Sequence, residues 1–204
     1  MRIDVWSDVV CPYCWVGKHR LEEALARQGV TDAQIVFHAF ELNPAAAQSR
    51  PLVAYLAERF GSEARVRAAW QRIEQMGAPS GLAFAWDAAI AAPTLDAHRL
   101  ILHAQAQGLG APMKERLMRA HFQDGADVAD RATLLALAHE VGVKDAAPLL
   151  EGSLLEKEVR ADEAAARGMG IGGVPFFVFD QKLAVSGAQP VELFEEAIRE
   201  ARSA

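Results

Sequence analysis

The chain contains two cysteines, Cys11 and Cys14, and they lie within SDVVCPYCWVG near its N-terminus. A C-x-x-C pair can be half of a metal site, a local structural disulfide, or a redox couple that opens and closes. A structural zinc site needs four ligands and would have to recruit two of His19, His38, His98, His103, His121 and His139, none of which pair at a zinc-finger spacing. A disulfide spanning two residues constrains little of the unfolded chain, because its entropic benefit grows with loop length. The redox couple is the reading the context favours. Pro12 follows Cys11 and an apolar-periodic segment follows Pro12, which puts Cys11 at a helix N-cap where free backbone N–H groups and the helix dipole stabilise a thiolate. In C-x-x-C motifs this setting lowers a thiol pKa from about 8.5 into the range of roughly 3.5–7.5. Cys14 falls one helical turn further on, beneath Cys11, where it can attack a mixed disulfide from inside. Pro12 and Tyr13 between them tune that reactivity.

The elements that hold the pair follow from periodicity. Arg2 to Ser7 alternates as a strand, Pro12 to Gln28 repeats at helical spacing up to the stop at Gly29, and Gln34 to Phe40 is a short apolar strand. A β-α-β opening of this length suits parallel strands, with the cysteines at the strand-to-helix turn. After Asn43-Pro44 the sequence predicts helices over 51–60, 62–76, 94–107, 112–122, 131–141 and 153–167, with GLAFAW (81–86) as an extended linker. From Gly168 the pattern returns to strands: PFFVF and KLAVS form a hairpin turning at Asp180-Gln181. A last helix starts at Pro190, with Gln189 as its candidate cap.

The order predicts an α/β protein: a thioredoxin-like domain of residues 1–45 and 153–204, split by an all-helical insertion of residues 46–152. The chain has 204 residues, 51% hydrophobic and 24% charged, which suits a soluble globular protein. A formal net charge of −6 without any Lys/Arg run argues against nucleic acid and anionic membrane surfaces as partners. The start MRIDVWSDVV lacks the apolar run of a signal peptide and no window reaches membrane-span length, so the expected location is cytoplasmic.

Together SDVVCPYCWVG, FELNP, GLAF, DAHRL, GGVPFFVF and VSGAQP resemble the DsbA-family, FrnE-type oxidoreductases over nearly the whole chain. The resemblance implies a split thioredoxin fold, Cys11 as nucleophile, Cys14 as resolving cysteine, and a cis-proline at Val174-Pro175 facing the two sulfurs and presenting backbone to an extended substrate. By position alone, Pro175 reads as the boundary of a strand with an ordinary trans bond. The architecture is also similar to kappa-class glutathione transferases and 2-hydroxychromene-2-carboxylate isomerases. Those relatives carry serine in place of Cys11 and hold the γ-glutamyl end of glutathione through a Ser-Asp pair where this chain has Ala188-Gln189. Ala188 and Gln189 are therefore candidate substrate-binding residues, at a helix start that can receive a carboxylate. Pro93-Thr94 replaces the Asn-Thr expected before DAHRL.

Other residues have plainer readings. Gly168, Gly170 and Gly173 spell G-x-G-x-x-G, but a helix precedes and a strand follows, the reverse of a dinucleotide loop. Asp8, three residues before Cys11, is placed to influence proton transfer there but reads first as a cap-region charge; His98 and His103 read as solvated or core residues off a metal-ligand spacing, and His19 as outward-facing. Trp15, Trp70 and Trp86 are core aromatics or the lining of a cleft between two lobes.

Three functions remain open on the sequence. One is a thiol–disulfide oxidoreductase or isomerase acting on protein or peptide disulfides or low-molecular-weight thiols, as monomer or homodimer. It needs no cofactor beyond its own disulfide, with glutathione a possible co-substrate. The second is a glutathione-dependent isomerase or transferase. The third is a redox-switched binding or holdase protein.

Overall fold

The structure, a computed structural model, describes residues 1–203. Its centre is a four-stranded sheet in the order β2-β1-β5-β6, with β1 Arg2–Ser7, β2 Gln34–Ala39, β5 Phe176–Phe179 and β6 Leu183–Ser186. β1 runs parallel to β2 and antiparallel to β5. The first pairing is the one a crossover helix allows, and α1 (Pro12–Arg27) is that crossover. β5 and β6 form the expected hairpin, with Asp180 and Gln181 both at positive φ (46° and 58°). The Phe179–Leu183 register leaves a three-residue loop, Asp180 to Lys182, closed by Lys182 N–H donating to Phe179 O at 2.9 Å, and the two positive φ values turn the chain within it.

β1 is covered on both faces. Ile3 and Val5 join Phe177, Phe179 and Phe194 in the main core, whereas Trp6 packs with Ala166 and Ile171. α1 lies against α9 (Val191–Ser203), and α8 (Glu156–Gly168) against β2. Between β2 and α8 come α2 Leu52–Phe60, α3 Glu63–Gly77, α4 Leu95–Gln105, α5 Gly110–Phe122, α6 Arg131–Val141 and α7 Ala146–Glu151. Their apolar residues Leu100, Leu117 and Leu134 share the main core with the sheet.

Several details differ from the sequence reading. α7 replaces an expected loop, because Leu149 and Leu150 bury against the core despite Pro148. The helix expected from 153 begins at Glu156, after Leu155 at a φ of 65°. A two-residue pair, β3 Arg50–Pro51 with β4 Ile90–Ala91, clips the ends of the α2–α3 excursion together. GLAFAW is irregular, with Leu82 and Trp86 buried and Ala85 N–H donating to Phe122 O.

The register of the sheet places the site. Trp6 pairs with Phe176, so the start of β5 lies beside the end of β1 from which the cysteine loop leaves. Residues 163 positions apart in sequence are thereby brought face to face.

Candidate active site

Cys11 is the N-cap of α1, in extended conformation (φ −97°, ψ 110°), with Pro12 opening the helix and no side chain capping it. The helix therefore presents its first backbone N–H groups and its positive dipole end at the Cys11 side chain. Both cysteines are free thiols, 3% and 2% exposed. Cys11 Sγ lies 3.6 Å from the carbonyl oxygen of Val174, and the Val174-Pro175 bond is cis. The cis-proline implied by the resemblance is therefore present, rather than the trans bond that position alone favours. The Val174 carbonyl faces the thiol, and the Pro175 carbonyl accepts from Gly187 N–H at 2.8 Å. Gly17, one turn below Cys14, permits this approach: a Cβ there would stand 3.0 Å from Pro175 Cγ and 3.1 Å from Phe177 Cζ.

The two sulfurs occupy different surroundings. Burial pushes the Cys14 thiol well above its ordinary pKa, and the adjacent Cys11 pushes it the same way, while the positive field of Lys114 opposes both. Lys114, on α5, is 1% exposed, and its Nζ is 3.3 Å from the Ser7 carbonyl oxygen. Burial lowers its pKa to about 8, against the pull of Cys14, Asp8 and Cys11. Asp8 is fully buried, which favours its neutral form. The His98 imidazole at 3.2 Å, the Leu42 N–H at 2.8 Å and the Lys114 charge outweigh that effect and hold its pKa below the usual carboxylate value. Asp8, His98 and Lys114 thus form a buried polar group under the dithiol.

Asp8 is therefore not a cap; its side chain turns into the core. His19 is not outward-facing either. It lies 3.2 Å from Glu115, which also takes Lys18 Nζ at 2.8 Å and the Trp15 indole N–H at 3.2 Å. His19 and Lys18 outweigh the desolvation of Glu115 and bring its pKa down to about 2, tying α1 to α5 directly behind the motif. Neither Lys114 nor Glu115 was singled out from the sequence.

A cavity of about 900 Å³ opens onto Cys11, with Pro12, Tyr13 and Val174 at the same end. Its wall is apolar, with Leu52, Ile73, Trp70 and Trp86, the two indoles stacked at 4.7 Å. Trp70 and Trp86 thus line the cleft, whereas Trp15 is wholly buried against Phe122. Ala188 and Gln189 are not part of this lining: their carbonyls accept from Arg20 at 2.7 and 3.3 Å. The Gln189 side chain donates to Ser186 O at 2.8 Å instead of capping α9. Among the described residues no three His, Cys, Asp or Glu side chains cluster as metal ligands, and no helix is long and apolar enough to cross a membrane.

A family model for the DsbA-like thioredoxin domain matches residues 2–199. The uncharacterized protein YwbO of Bacillus subtilis is 27% identical over 203 residues, covering 97% of this chain and 96% of its own. The crystal structure of a probable DsbA oxidoreductase, SCO1869 from Streptomyces coelicolor, superposes with a TM-score of 0.93 at 34% identity, over 100% of this chain and 90% of that one. The cytosolic disulfide reductase DsbM from Pseudomonas aeruginosa, also solved with GSH, has the same fold at 22% identity and a TM-score of 0.74, each chain covered fully. A match running from the first strand to the last helix, around a free dithiol opposed by a cis-proline, means that the chain belongs to the DsbA-like thioredoxin-domain family and is a thiol–disulfide oxidoreductase.

Proposed function

We propose that Cys11 is the attacking thiolate and Cys14 the resolving thiol of a disulfide exchange carried out at the mouth of the cavity. The observation that carries this reading is the unequal setting of the two sulfurs. Cys11 stands at the uncapped N-terminus of α1 and lines the cavity, while Cys14 lies behind it, held protonated by burial. The Cys11 thiolate attacks one sulfur of a substrate R–S–S–R′, forming Cys11–S–S–R and releasing R′S⁻. Cys14 then attacks Cys11 Sγ as its proton passes to the departing sulfur, closing the Cys11–Cys14 disulfide and releasing RSH. The protein dithiol loses two electrons and the substrate disulfide gains them. A low-molecular-weight thiol, glutathione included, or a second dithiol protein returns the pair to the reduced form. The same steps run backwards oxidise a substrate dithiol.

Lys114 supports the second step. Its pKa of about 8 leaves a fraction neutral near pH 7, and its charged form favours the Cys14 thiolate. Val174 walls the sulfur through its carbonyl and Pro175 packs on α1 at Gly17, with Pro12 and Tyr13 at the rim, and we assign these four to substrate positioning. Arg20 occupies the carbonyls of Ala188 and Gln189, and the Gln189 N–H donates to Gly187 O at 3.0 Å, so of their backbone only the Ala188 N–H is left for a substrate. In this reading residues 1–45 and 153–204 carry the redox pair and residues 46–152 cover it. The test is turnover with a disulfide substrate and excess thiol. Cys11→Ser abolishes it, and Cys14→Ser accumulates a mixed disulfide on Cys11. Full turnover by Cys11→Ser contradicts the assignment.

A further inference from the structure

The cavity that holds the thiol is also lined by cations. Arg50, Arg59 and Arg65 all line it, although the protein carries a net charge of −6. Arg50 is paired with Glu58 and lies over the Tyr55 ring. Among the described residues, Arg59 and Arg65 have no carboxylate partner. Tyr55, also in the lining, receives two hydrogen bonds on its phenolic oxygen, from Arg59 Nη1 at 2.6 Å and from Asn43 Nδ2 at 3.1 Å. Both lone pairs are then engaged, and the phenolic O–H remains to donate. Among the described residues Asp8 is the one acidic residue of the lining, and it is buried and already satisfied by His98 and Leu42.

The cavity thus offers three things in one enclosure: a redox thiol, an apolar wall with two stacked indoles, and a cationic rim with a free hydroxyl donor. A volume of about 900 Å³ lies within the usual range for small-molecule sites. We propose that the substrate is a small disulfide, or its thiol, with an apolar body of aromatic size and a carboxylate or similar anion. The body lies along Trp70, Trp86 and Ile73, the anion meets Tyr55, Arg59 and Arg65, and the sulfur faces Cys11. This rests on the exchange reaction above. Cys11 forms a disulfide with the substrate's near sulfur as the far thiolate leaves, and Cys14 then displaces the near one. The dithiol is oxidised by two electrons as the substrate is reduced to two thiols, and a low-molecular-weight thiol resets the pair.

The test uses the reduced full-length protein and three probes in stopped flow: 5,5′-dithiobis(2-nitrobenzoate), aromatic and carboxylated; 4,4′-dithiodipyridine, aromatic and uncharged; and cystamine, aliphatic and cationic. Each second-order rate constant is divided by that of 2-mercaptoethanol with the same probe, which removes intrinsic reactivity. The normalised preference for the carboxylated over the uncharged aromatic probe should be about tenfold, as one well-placed charge contact gives. It should collapse in Arg59→Ala/Arg65→Ala, and Arg65→Glu should shift preference toward cystamine. These residues are exposed, so the variants fold, which a thermal melt verifies. Equal normalised rates for all probes, unmoved by the arginine variants, overturn the substrate class while leaving the exchange reaction intact. Absence of any Cys11 adduct with all three overturns both.

Discussion

Lys114 Nζ stands 3.3 Å from the carbonyl oxygen of Ser7, the last residue of β1, inside the protein and beneath the dithiol. Asp8, Cys11, Cys14 and Lys18 act on its charge from the neighbouring loop and helix. Lys114→Met keeps the apolar stem and removes the charge. Resolution of a Cys11 mixed disulfide should then slow by about tenfold at pH 7, one pKa unit of lost support for the Cys14 thiolate. The limb of the pH–rate profile near 8 should disappear. A profile unchanged in shape would assign Lys114 to packing alone.

Gly17 answers to a steric constraint. Alanine in a helix gains up to about 1 kcal/mol over glycine. Here its Cβ would meet the Pro175 and Phe177 rings at 3.0 and 3.1 Å, both in the buried sheet layer. The clash wins: Gly17→Ala should cost about 1–3 kcal/mol in denaturant unfolding. Exchange should slow as well, because the ring displaced is the one next to Val174.

His38 links two carboxylates, with Nδ1 2.7 Å from Asp162 and Nε2 2.8 Å from Asp4, and it stacks on Trp6 at 4.4 Å. Burial disfavours its charged form, but Asp162 and Asp4 outweigh burial and raise its pKa. A histidine whose folded pKa lies above its unfolded value stabilises the protein fully below about pH 6.5 and loses that contribution as pH rises through the folded value. His38→Phe keeps the stack and loses both hydrogen bonds. It should cost about 1.5–3 kcal/mol at pH 6, and less at pH 9.

His121 has the opposite sign. Both ring nitrogens are buried without a partner among the described residues, and burial lowers its pKa to about 4. The unfolded chain then binds this proton more readily, so stability from this site is full above about pH 6.5 and falls by about 3 kcal/mol as the pH drops to 4. His121→Phe should flatten the acid limb of a stability–pH curve and raise the melting temperature at pH 5.

The site is legible in the sequence where it is local. Cys11-Pro12-Tyr13-Cys14 states its own chemistry, and Asp180-Gln181 between two β-rich runs states the hairpin. The position of Val174-Pro175 opposite the thiols came from family likeness, because the Trp6–Phe176 register that creates it joins distant segments. Lys114 has no local signal tying it to the dithiol, for the same reason, and Asp8 reads as a cap-region charge because its partner His98 lies far along the chain. A signal was nevertheless present: Lys114 and His121 fall at helical spacing with Leu117 and Met118, inside the buried stripe of α5. A charge within an apolar stripe marks a buried ionisable group, and buried ionisable groups gather at reactive centres. The short helix α7 left no comparable trace, since Pro148 broke its pattern.

The most direct test of the central claim is the redox equilibrium of the Cys11/Cys14 pair across defined ratios of reduced to oxidised glutathione, read by thiol trapping and intact mass. The account predicts one two-electron transition to an intramolecular Cys11–Cys14 disulfide, with adducts of glutathione trapped only when Cys14 is replaced by serine. Single glutathione adducts at every ratio, with no intramolecular disulfide, would contradict it and leave a glutathione-dependent enzyme in its place.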